Sequence, residues 1–568
     1  MNLNLEQQQA AFTDAKNALV IAGAGSGKTR VLTARVEHLI ENCKVSPFEI
    51  MCFTFTRAGA NEMKERLKAT IGGDAHKLHI GTMHSLALTY IRRFGEALGI
   101  RPATVTVYNE WESEFLLKEI ARDIGVFNGK AWKIPKKEID AMFSRYYSAG
   151  TEPEESEPGY NLFQAFFQRC RENNALTYGG LILGFYMIIP ELKKRLHIRH
   201  ILVDEVQDID RLQHLIISML QMNFDASVFM VGDLSQSIFS WRGAVPEYLM
   251  ELEKNFFVYK LANNYRSVEE IVRSANKMIR NNIVRIPLDM EPTREGNGVN
   301  VIKFADSEFI VRKYLCPIES GVAVLARNHV LLKKIASLLD ESGTEYRYVG
   351  RKSEMIHSED FRRFVAFLKL EINEHDNFSF LLIKEILGLD RAAYAAVRQM
   401  AAELGISHFA AWYSMAPDVG WVQFFWESYP SFDDYLEALS DKIQCPNFVA
   451  FAAASGCPTV KAFLDWITTY DISEEATEEF NGLKLMTIHA AKGLEWPTVI
   501  LAGCNEGLIP SKQAIGAGTI EEERRLFYVA MTRARDHLVL TVRPERKEAE
   551  NGRVYESPIS RFVGEAVA

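Results

Sequence analysis

An apolar run, a loop of small residues, a lysine and a hydroxyl follow one another in VIAGAGSGKTR, residues 20–30. The octapeptide AGAGSGKT matches the phosphate-binding pattern GxxxxGK[ST], with Ala22 in the place of the first glycine. Backbone N–H groups of such a loop converge on phosphate oxygens, and the helix N-terminus adds its positive dipole end. Lys28 is expected to reach the terminal phosphates, and Thr29 to ligate Mg²⁺. The residues assigned to the nucleotide by this loop are Ala22, Gly23, Ala24, Gly25, Ser26, Gly27, Lys28 and Thr29. A glycine-rich turn followed by a chance lysine is the alternative, which the strand–loop–helix context disfavours.

An acidic pair follows a second apolar strand in RHILVDEVQD, residues 199–208. Asp204 and Glu205 come directly after this strand, and the carboxyl ends of strands in an open α/β sheet face the ligand crevice. Asp204 is expected to hold Mg²⁺ through water, and Glu205 to orient and deprotonate an attacking water. The alternative is an acidic pair that only caps the next helix. The loop and the acidic pair together predict hydrolysis of a nucleoside triphosphate.

Strand-like apolar runs recur along the chain and alternate with helical stretches, as in parallel α/β domains. The runs are EIMCFTFT, KLHIGTMH, HILVDE, SVFMVGD, VAVLAR, LKLMTIH, PTVILAG and HLVLTV. The alternation therefore predicts parallel α/β domains.

Size and composition limit the class of protein. The 568 residues exceed what one hydrophobic core holds, so several domains are expected. The chain has no apolar run of about 18 residues, no signal-peptide order at its N-terminus and no CxxC pair among its seven cysteines. We therefore expect a cytoplasmic protein with no membrane partner, zinc site or disulfide framework. The net charge of -9 argues against coating by nucleic acid, but it is compatible with a narrow basic or aromatic track.

A longer series of motifs resembles the UvrD/Rep branch of superfamily 1 DNA helicases. The resemblance is most specific in VDEVQD followed by VGDLSQSIFSWRGA, residues 231–244. Further matching stretches follow in the order typical of that family: LNLEQQQAAF (3–12), CFTFTRAGANEM (52–63), GTMHSLA (81–87), LANNYRS (261–267), LMTIHAAKGLEWPTVILAGCNEGLIP (485–510) and EEERRLFYVAMTRARDHLVLT (521–541). The resemblance covers the whole chain.

The resemblance implies roles around ATP. It places Arg266 and Arg533 at the γ-phosphate, in a cleft between two RecA-like cores, where arginines of this kind are worth roughly 10³ to 10⁵ in rate. It assigns Gln236 to sensing that phosphate. The remaining nucleotide contacts that it implies are Gln7 near the adenine, Arg30 at the nucleotide, Tyr265 as an aromatic face for the base and Glu495 at the ribose. A surface salt bridge is the alternative for any one of these polar residues taken alone.

The resemblance also implies a track for single-stranded DNA, with ATP and Mg²⁺ as cofactors. Base stacking on aromatic rings contributes about 1 to 3 kcal/mol per base. The residues predicted to face the strand are Phe55, Arg57, His84, Phe239, Trp241 and Arg242. Packing in the core is the alternative for Phe239. Arg57 stands where family members commonly have asparagine, and we expect it to alter the contact with DNA.

The predicted fold class is α/β, with two RecA-like P-loop cores. Each core is built on a parallel sheet and is interrupted by a mostly helical insertion. The first core comprises residues 1–88 and 179–267 and holds the ATP site. A helical insertion occupies residues 89–178. The second core comprises residues 268–371 and 484–568, and a reduced helical insertion occupies residues 372–483.

The function implied is an ATP-dependent DNA helicase that moves 3′ to 5′ on single-stranded DNA and meets single-strand/duplex junctions. Two alternatives stay open: a helicase-like ATPase subunit of a nuclease-coupled defence or recombination complex, and a DNA-binding NTP switch without processive unwinding. HLVLTV and RVYES, with Asn551 and Gly552 between them, further predict a hairpin whose tip, residues 547–552, has no aromatic side chain. The resemblance implies that a hairpin at this place meets the duplex junction.

Overall fold

A computed structural model describes residues 3–303, 321–415, 418–470, 472–477, 480, 482–542, 546–548, 554–556 and 558–567. The chain divides into two compact units. The first unit comprises Met1–Thr82, His197–Lys352 and Asp471–Ala568, and the second comprises Met83–Leu196 and Ser353–Tyr470.

The first unit contains two six-stranded parallel sheets. The first sheet has the strand order His79–Thr82, Ile50–Thr54, His200–Val203, Ser227–Gly232, Asn17–Ala22 and Phe257–Leu261. The second has the order Val299–Lys303, Ala534–Val542, Trp496–Ala502, Val322–Ala326, Leu483–Thr487 and Tyr346–Tyr348. The central strands are buried almost throughout, because both faces of a parallel sheet are covered and its strands are nearly continuous apolar runs. The predicted α/β fold class is confirmed.

Two short ribbons accompany these sheets. Asn263–Asn264 pairs in parallel with Glu291–Pro292, and Arg546–Glu548 pairs antiparallel with Val554–Glu556. The predicted hairpin thus differs in its first strand, because HLVLTV belongs to the parallel sheet strand Ala534–Val542. The hairpin tip at residues 549–553 lies outside the described residues.

Helices connect the strands of the first unit. They are Leu5–Ala11, Lys28–Glu41, Arg57–Ile71, Arg211–Phe224, Glu247–Asn255, Glu269–Ile279, His329–Ser342, Ile472–Thr477, Lys512–Ala517, Ile520–Met531 and Arg561–Val567. Short 3₁₀ turns occur at Pro47–Glu49, Gly72–Lys77, Val206–Asp208, Leu234–Gln236 and Ser240–Arg242. The helix Arg351–Ile356 crosses the boundary between the units.

The second unit is mostly helical. Its helices are Met83–Phe94, Glu110–Asp123, Lys136–Ala149, Tyr160–Glu172, Tyr178–Arg195, Glu359–Ile372, Asn377–Ile383, Arg391–Leu404, His408–Ser414, Val419–Trp426, Phe432–Ile443, Pro446–Ala454 and Val460–Thr468. Two 3₁₀ turns, Gly95–Leu98 and Pro102–Thr104, and a two-stranded ribbon of Thr106–Tyr108 with Ala175–Thr177 complete it. No helix of the described residues has both the length and the apolarity that a membrane crossing needs.

The predicted domain bounds differ from the bounds of these units. Helix Met83–Phe94 runs through the predicted boundary at residue 88, and helix Glu359–Ile372 runs through the one at residue 371. Both helices belong to the second unit, together with residues 89–178 and 372–470, whereas helix Ile472–Thr477, which was predicted as part of the second insertion, belongs to the first unit. A helix continues until its capping and packing end it, and the pattern of motifs does not mark that point. The four-part division stays a prediction.

A buried polar cluster joins the two segments of the second unit. Lys369 donates to Glu112 Oε1 at 2.6 Å, and the two side chains are only 6% and 2% exposed. Glu112 also accepts from the backbone N–H of Asn109 and so completes a capping box. Nearby, Asp376 accepts from the hydroxyls of Tyr108 and Thr106. These charges are satisfied only as a set, so the removal of one partner leaves the other buried and unpaired.

We expect Lys369→Ala to lower the free energy of unfolding by about 3 to 5 kcal/mol, because the buried Glu112 carboxylate loses its cation. The midpoint of urea unfolding, followed by circular dichroism, measures this. The control is Glu112→Gln combined with Lys369→Met, since glutamine keeps the capping box and neither member of the ion pair is left charged without its partner. An equal loss in the double variant would contradict the assignment.

Candidate nucleotide site and nucleic-acid interface

The predicted phosphate loop connects strand Asn17–Ala22 with helix Lys28–Glu41. Gly25 and Gly27 have φ values of 68° and 88°, in the left-handed region where only glycine is unstrained. A Cβ atom at Gly25 would lie 2.7 Å from Cβ of Arg266, and one at Gly27 would lie 2.8 Å from Nε2 of Gln7. The loop therefore requires glycine at both positions and holds its N–H groups at the start of a helix, as an anion site needs.

Three residues outside the loop fix its backbone. Gln7 is buried; its Nε2 donates to the carbonyl oxygen of Ser26 at 2.8 Å, and its Oε1 accepts from the N–H of Asn4. The Tyr265 N–H donates to the Gly25 carbonyl, and its hydroxyl accepts from Asn4 Nδ2 at 2.7 Å. Gln7, which we expected beside the adenine, thus supports the loop itself. Tyr265 keeps a ring that is 42% exposed.

Lys28 lies among three carboxylates. Its Nζ donates to Glu205 Oε2 at 3.1 Å. Burial alone would lower the pKa of Lys28, but the charges of Glu205, Asp233 and Asp204 outweigh burial and raise it. Burial would likewise raise the pKa of Glu205, yet Lys28 and Lys492 bring it down to about 2. Lys28 and Glu205 are therefore charged partners in this structure.

Asp204 differs from Glu205 in that its surroundings raise the pKa of its carboxyl group. Burial, and then the neighbouring charge of Glu205, raise the pKa of Asp204 to about 7. Two adjacent carboxylates of this kind are stabilised by a divalent cation, and carboxylate and hydroxyl oxygens are ligands that Mg²⁺ prefers. The donor set of Asp204 and Thr29 thus fits the predicted cation.

The backbone of Glu205 is strained. It has φ 50° and ψ 46°, a left-handed conformation that is uncommon for a residue other than glycine. Gln207 holds the turn, because its Nε2 donates to Glu205 Oε2 and its Oε1 accepts from the N–H of Asp233 at 3.0 Å. Strain of this kind occurs where a side chain must point in one direction, here towards Lys28.

Two arginines, Arg266 and Arg533, line the cavity beside the loop. Arg266 donates to Glu495 Oε2 at 2.5 Å and to the carbonyl oxygen of Thr532 at 3.0 Å. Arg533 is 1% exposed, and burial, together with the charge of Arg266, lowers its pKa to about 9. This cationic pair is short of negative charge. Glu495, which we expected at a ribose, is the ion-pair partner of Arg266.

Gln236 links the two sheets of the first unit. Its Nε2 donates to Asp233 Oδ2 at 2.6 Å, and its Oε1 accepts from Arg533 Nη2 at 3.3 Å. Lys492 donates to the backbone carbonyl of Gln236 at 2.6 Å and to the buried carboxylate of Asp208. We gave Lys492 and Asp208 no role from the sequence. Their positions within HAAKGLEW and VDEVQD were the available signal.

A cavity of about 650 Å³ lies between these groups. Its lining from the first sheet and its connections comprises residues 25–30, Glu62, Arg66, Glu205, Gln236, Tyr265 and Arg266. Its lining from the second sheet and its connections comprises Ala476, Thr477, Lys484, residues 493–496 and Arg533. The volume and the cationic groups suit a nucleotide. Arg30 is exposed at its rim, and Glu62, Arg66 and Lys484 are lining residues that we did not predict.

Aromatic side chains cluster near the segment that follows Gln236. Phe55 and Phe239 stack with their ring centroids 4.9 Å apart, but Phe239 is only 6% exposed and belongs to the hydrophobic core. Trp241 is 66% exposed, and the Arg242 guanidinium lies 4.9 Å from its ring centroid. His489 packs edge-on to Trp241, and burial lowers the pKa of this imidazole to about 4, so it is neutral at pH 7. Trp241 and Arg242 therefore present the accessible surface, whereas Phe239 mainly supports it.

The two other predicted DNA contacts lie elsewhere on the chain. Arg57 is the first residue of helix Arg57–Ile71. His84 belongs to the second unit, where its ring stacks on Tyr178 with centroids 4.0 Å apart. Both remain predictions as contacts of nucleic acid.

Two family models match the chain. The model described as the UvrD/REP helicase N-terminal domain matches residues 3–257. The model described as the UvrD-like helicase C-terminal domain matches residues 259–409 and 448–545. The residues that line the cavity all fall inside the matched ranges.

Curated relatives match over nearly the full chain. Over 99% of its length, the chain is 29% identical to the ATP-dependent DNA helicase PcrA of Bacillus subtilis (strain 168), covering 85% of that protein. It is 27% identical to the protein of the same name from Staphylococcus aureus (strain MRSA252), covering 86% of it. The Staphylococcus epidermidis protein of that name is 26% identical, with 86% covered.

We expect Glu205→Gln to retain nucleotide binding and to lose turnover, because the amide cannot accept a proton from water. Binding of a fluorescent ATP analogue and steady-state phosphate release measure the two properties. Lys28→Ala is the comparison, since loss of the ammonium is expected to weaken binding as well. Normal hydrolysis by Glu205→Gln would place the general base elsewhere.

Proposed function

The chain belongs to the UvrD/Rep family of helicases, and we propose that it is an ATP-dependent DNA helicase that translocates 3′ to 5′ along single-stranded DNA. The observation that carries the proposal is the junction of the two sheets at the cavity. There Arg533, from the second sheet, donates to Gln236, which follows the first. A ligand that bridges these groups is in contact with both sheets.

Charge matching supports ATP as that ligand. Lys28, Arg266 and Arg533 all line the cavity, and Arg533 has a pKa lowered by burial and by Arg266. The γ-phosphate would supply the negative charge that this set lacks. Hydrolysis would release that charge as phosphate and weaken the contact between the sheets.

The acidic groups support hydrolysis rather than binding alone. A phosphate that takes over Lys28 would free Glu205 from its partner, and the pKa of this carboxylate would then rise towards its ordinary value. Glu205 could then orient a water for attack on the γ-phosphorus and accept its proton, with ADP as the leaving group. Thr29 and Asp204 would hold Mg²⁺, which neutralises charge on the phosphates when bound.

The segment from Gln236 to Arg242 supports coupling to DNA. Four residues separate Gln236, whose side chain contacts Arg533, from the exposed ring of Trp241. Trp241 offers a face for base stacking, and Arg242 beside it offers a cation for backbone phosphate. A narrow contact of this type suits a chain whose net charge is -9.

We expect ATP hydrolysis to rise with the length of single-stranded DNA and then to level off, since a motor that starts at random travels farther on longer strands. Streptavidin displacement from biotin at the 5′ end, but not at the 3′ end, is the expected mark of 3′ to 5′ movement. One ATP per binding event, independent of length, would instead indicate a switch. Displacement from the 3′ end would reverse the proposed polarity.

Trp241→Ala is expected to raise the concentration of single-stranded DNA for half-maximal ATPase stimulation by roughly 5- to 150-fold, since about 1 to 3 kcal/mol of stacking is lost. Titration with an oligothymidylate measures it. Trp241→Phe, which keeps an aromatic face, serves as the matched control and should lose much less. An unchanged titration would mean that Trp241 makes no contact with DNA.

A further inference from the structure

The helix that precedes strand Ala534–Val542 of the second sheet forms hydrogen bonds with the segment that leads to Trp241. Helix Ile520–Met531 carries the run EEERR at residues 521–525. Arg525 Nε donates to the carbonyl oxygen of Ser237 at 2.8 Å, and Glu522 Oε1 accepts from the N–H of Ser240 at 3.0 Å. These two residues are three apart and so lie on one face of the helix.

The other charged residues of the run have different partners. Glu521 accepts from the N–H groups of Ile283 and Val284. Glu523 accepts from Arg327, and Arg524 binds Glu565. These partners all lie after residue 268, within the range predicted for the second core. The contacts of Glu522 and Arg525 with residues 237–240 are therefore not a general property of a charged helix.

We propose that Glu522 is a positioning residue that ties the turn carrying Trp241 and Arg242 to the arginine-bearing helix, and so makes DNA affinity depend on the bound nucleotide. This inference rests on the proposed function. Glu522 is proposed to link the nucleotide site to the DNA site through this turn, without contacting either ligand itself.

The turn depends on this contact for its start. Ser240–Arg242 is a 3₁₀ turn, and the residue before it, Phe239, supplies no side-chain cap. The Glu522 carboxylate accepts the first N–H of the turn, and hydrogen bonds to a charged acceptor are stronger than those between neutral groups. The exposed Trp241 is the next residue, so its direction depends on how this turn is held.

The same helix leads directly to the nucleotide contacts. It ends at Met531, and Arg533 follows two residues later with its bond to Gln236. Residues 236–240 are thus held by Arg533, Arg525 and Glu522 in sequence. A shift of this helix when Arg533 gains or loses a phosphate would move the turn with it, because Arg525 and Glu522 connect the backbone of Ser237 and Ser240 to a rigid element.

The test measures coupling rather than activity alone. The dissociation constant of a fluorescein-labelled oligothymidylate is determined by anisotropy, without nucleotide and with a non-hydrolysable ATP analogue. The ratio of the two constants reports the coupling between the sites. We expect Glu522→Ala to reduce this ratio by about tenfold, which corresponds to the loss of one hydrogen bond to a charged group. If the wild-type ratio is below ten, the variant's ratio should fall to 1.

Three further variants separate positioning from other effects. Glu522→Gln keeps an acceptor oxygen at the same reach and should restore most of the ratio. Glu522→Asp keeps the charge at the helix start but is too short, and should behave like alanine even if Glu522→Ala folds poorly. Glu247→Gln removes a carboxylate from the cavity that Glu522 also lines and should keep the wild-type ratio.

A double-mutant cycle locates the effect. In a Trp241→Ala background, Glu522→Ala should cause little further change in the ratio, because the two residues act through one contact. Additive effects, a wild-type ratio in Glu522→Asp, or no rescue by Glu522→Gln would each overturn the proposal. If the wild-type protein shows no dependence of DNA affinity on nucleotide, the proposed function fails first, and that outcome is distinct from the failure of Glu522.

Discussion

Charge matching in the cleft between the two sheets is the constraint on which the rest of the first unit depends. Lys28, Arg266, Arg533 and Lys492 face a group of buried or half-buried carboxylates, and no single pairing satisfies them all. Lys28 and Glu205 match each other, whereas Asp204 has a raised pKa and Arg533 a lowered one. A phosphate would supply negative charge beside Arg533, and a divalent cation would supply positive charge beside Asp204. The arrangement is therefore stable in its present form and still responsive to a ligand.

The hydrogen bonds beside the cleft also connect residues 236–240 to helix Ile520–Met531. Arg533 and Arg525 donate hydrogen bonds to Gln236 and Ser237, and Glu522 accepts one from Ser240. Each of these three side chains belongs to one helix or to the turn after it. Lys492 adds a fourth bond, from a different loop, to the carbonyl of Gln236. Because the helix packs its buried face into the core, a change at the cleft would move the whole element rather than single side chains. Side-chain contacts alone would allow each residue to relax separately.

The sequence predicted these elements well where the chemistry is local. A phosphate loop needs glycine at fixed positions, and Gly25 and Gly27 adopt the left-handed conformations that its pattern implies. The apolar runs predicted parallel strands because burial on both faces has a direct signature in composition. Long-range partners could not be predicted in this way. The bond of Gln7 to the loop, the pairing of Arg266 with Glu495 and the burial of Phe239 depend on which segments meet in space. The role of Lys492 was hidden for the same reason.

A comparison of two buried ionic clusters among the described residues shows how the same chemistry serves different ends. In the second unit, Lys369 and Glu112 form a matched pair, and the capping box satisfies the remaining carboxylate oxygen. Such a pair gains nothing from a further ion, so it fixes structure. In the cleft, Arg266 and Arg533 repel each other, as Asp204 and Glu205 do, and each repulsion is a free energy that a ligand can remove. A cluster whose charges are incompletely matched is less stable than a matched pair. It is also the only one of the two whose geometry a nucleotide could change.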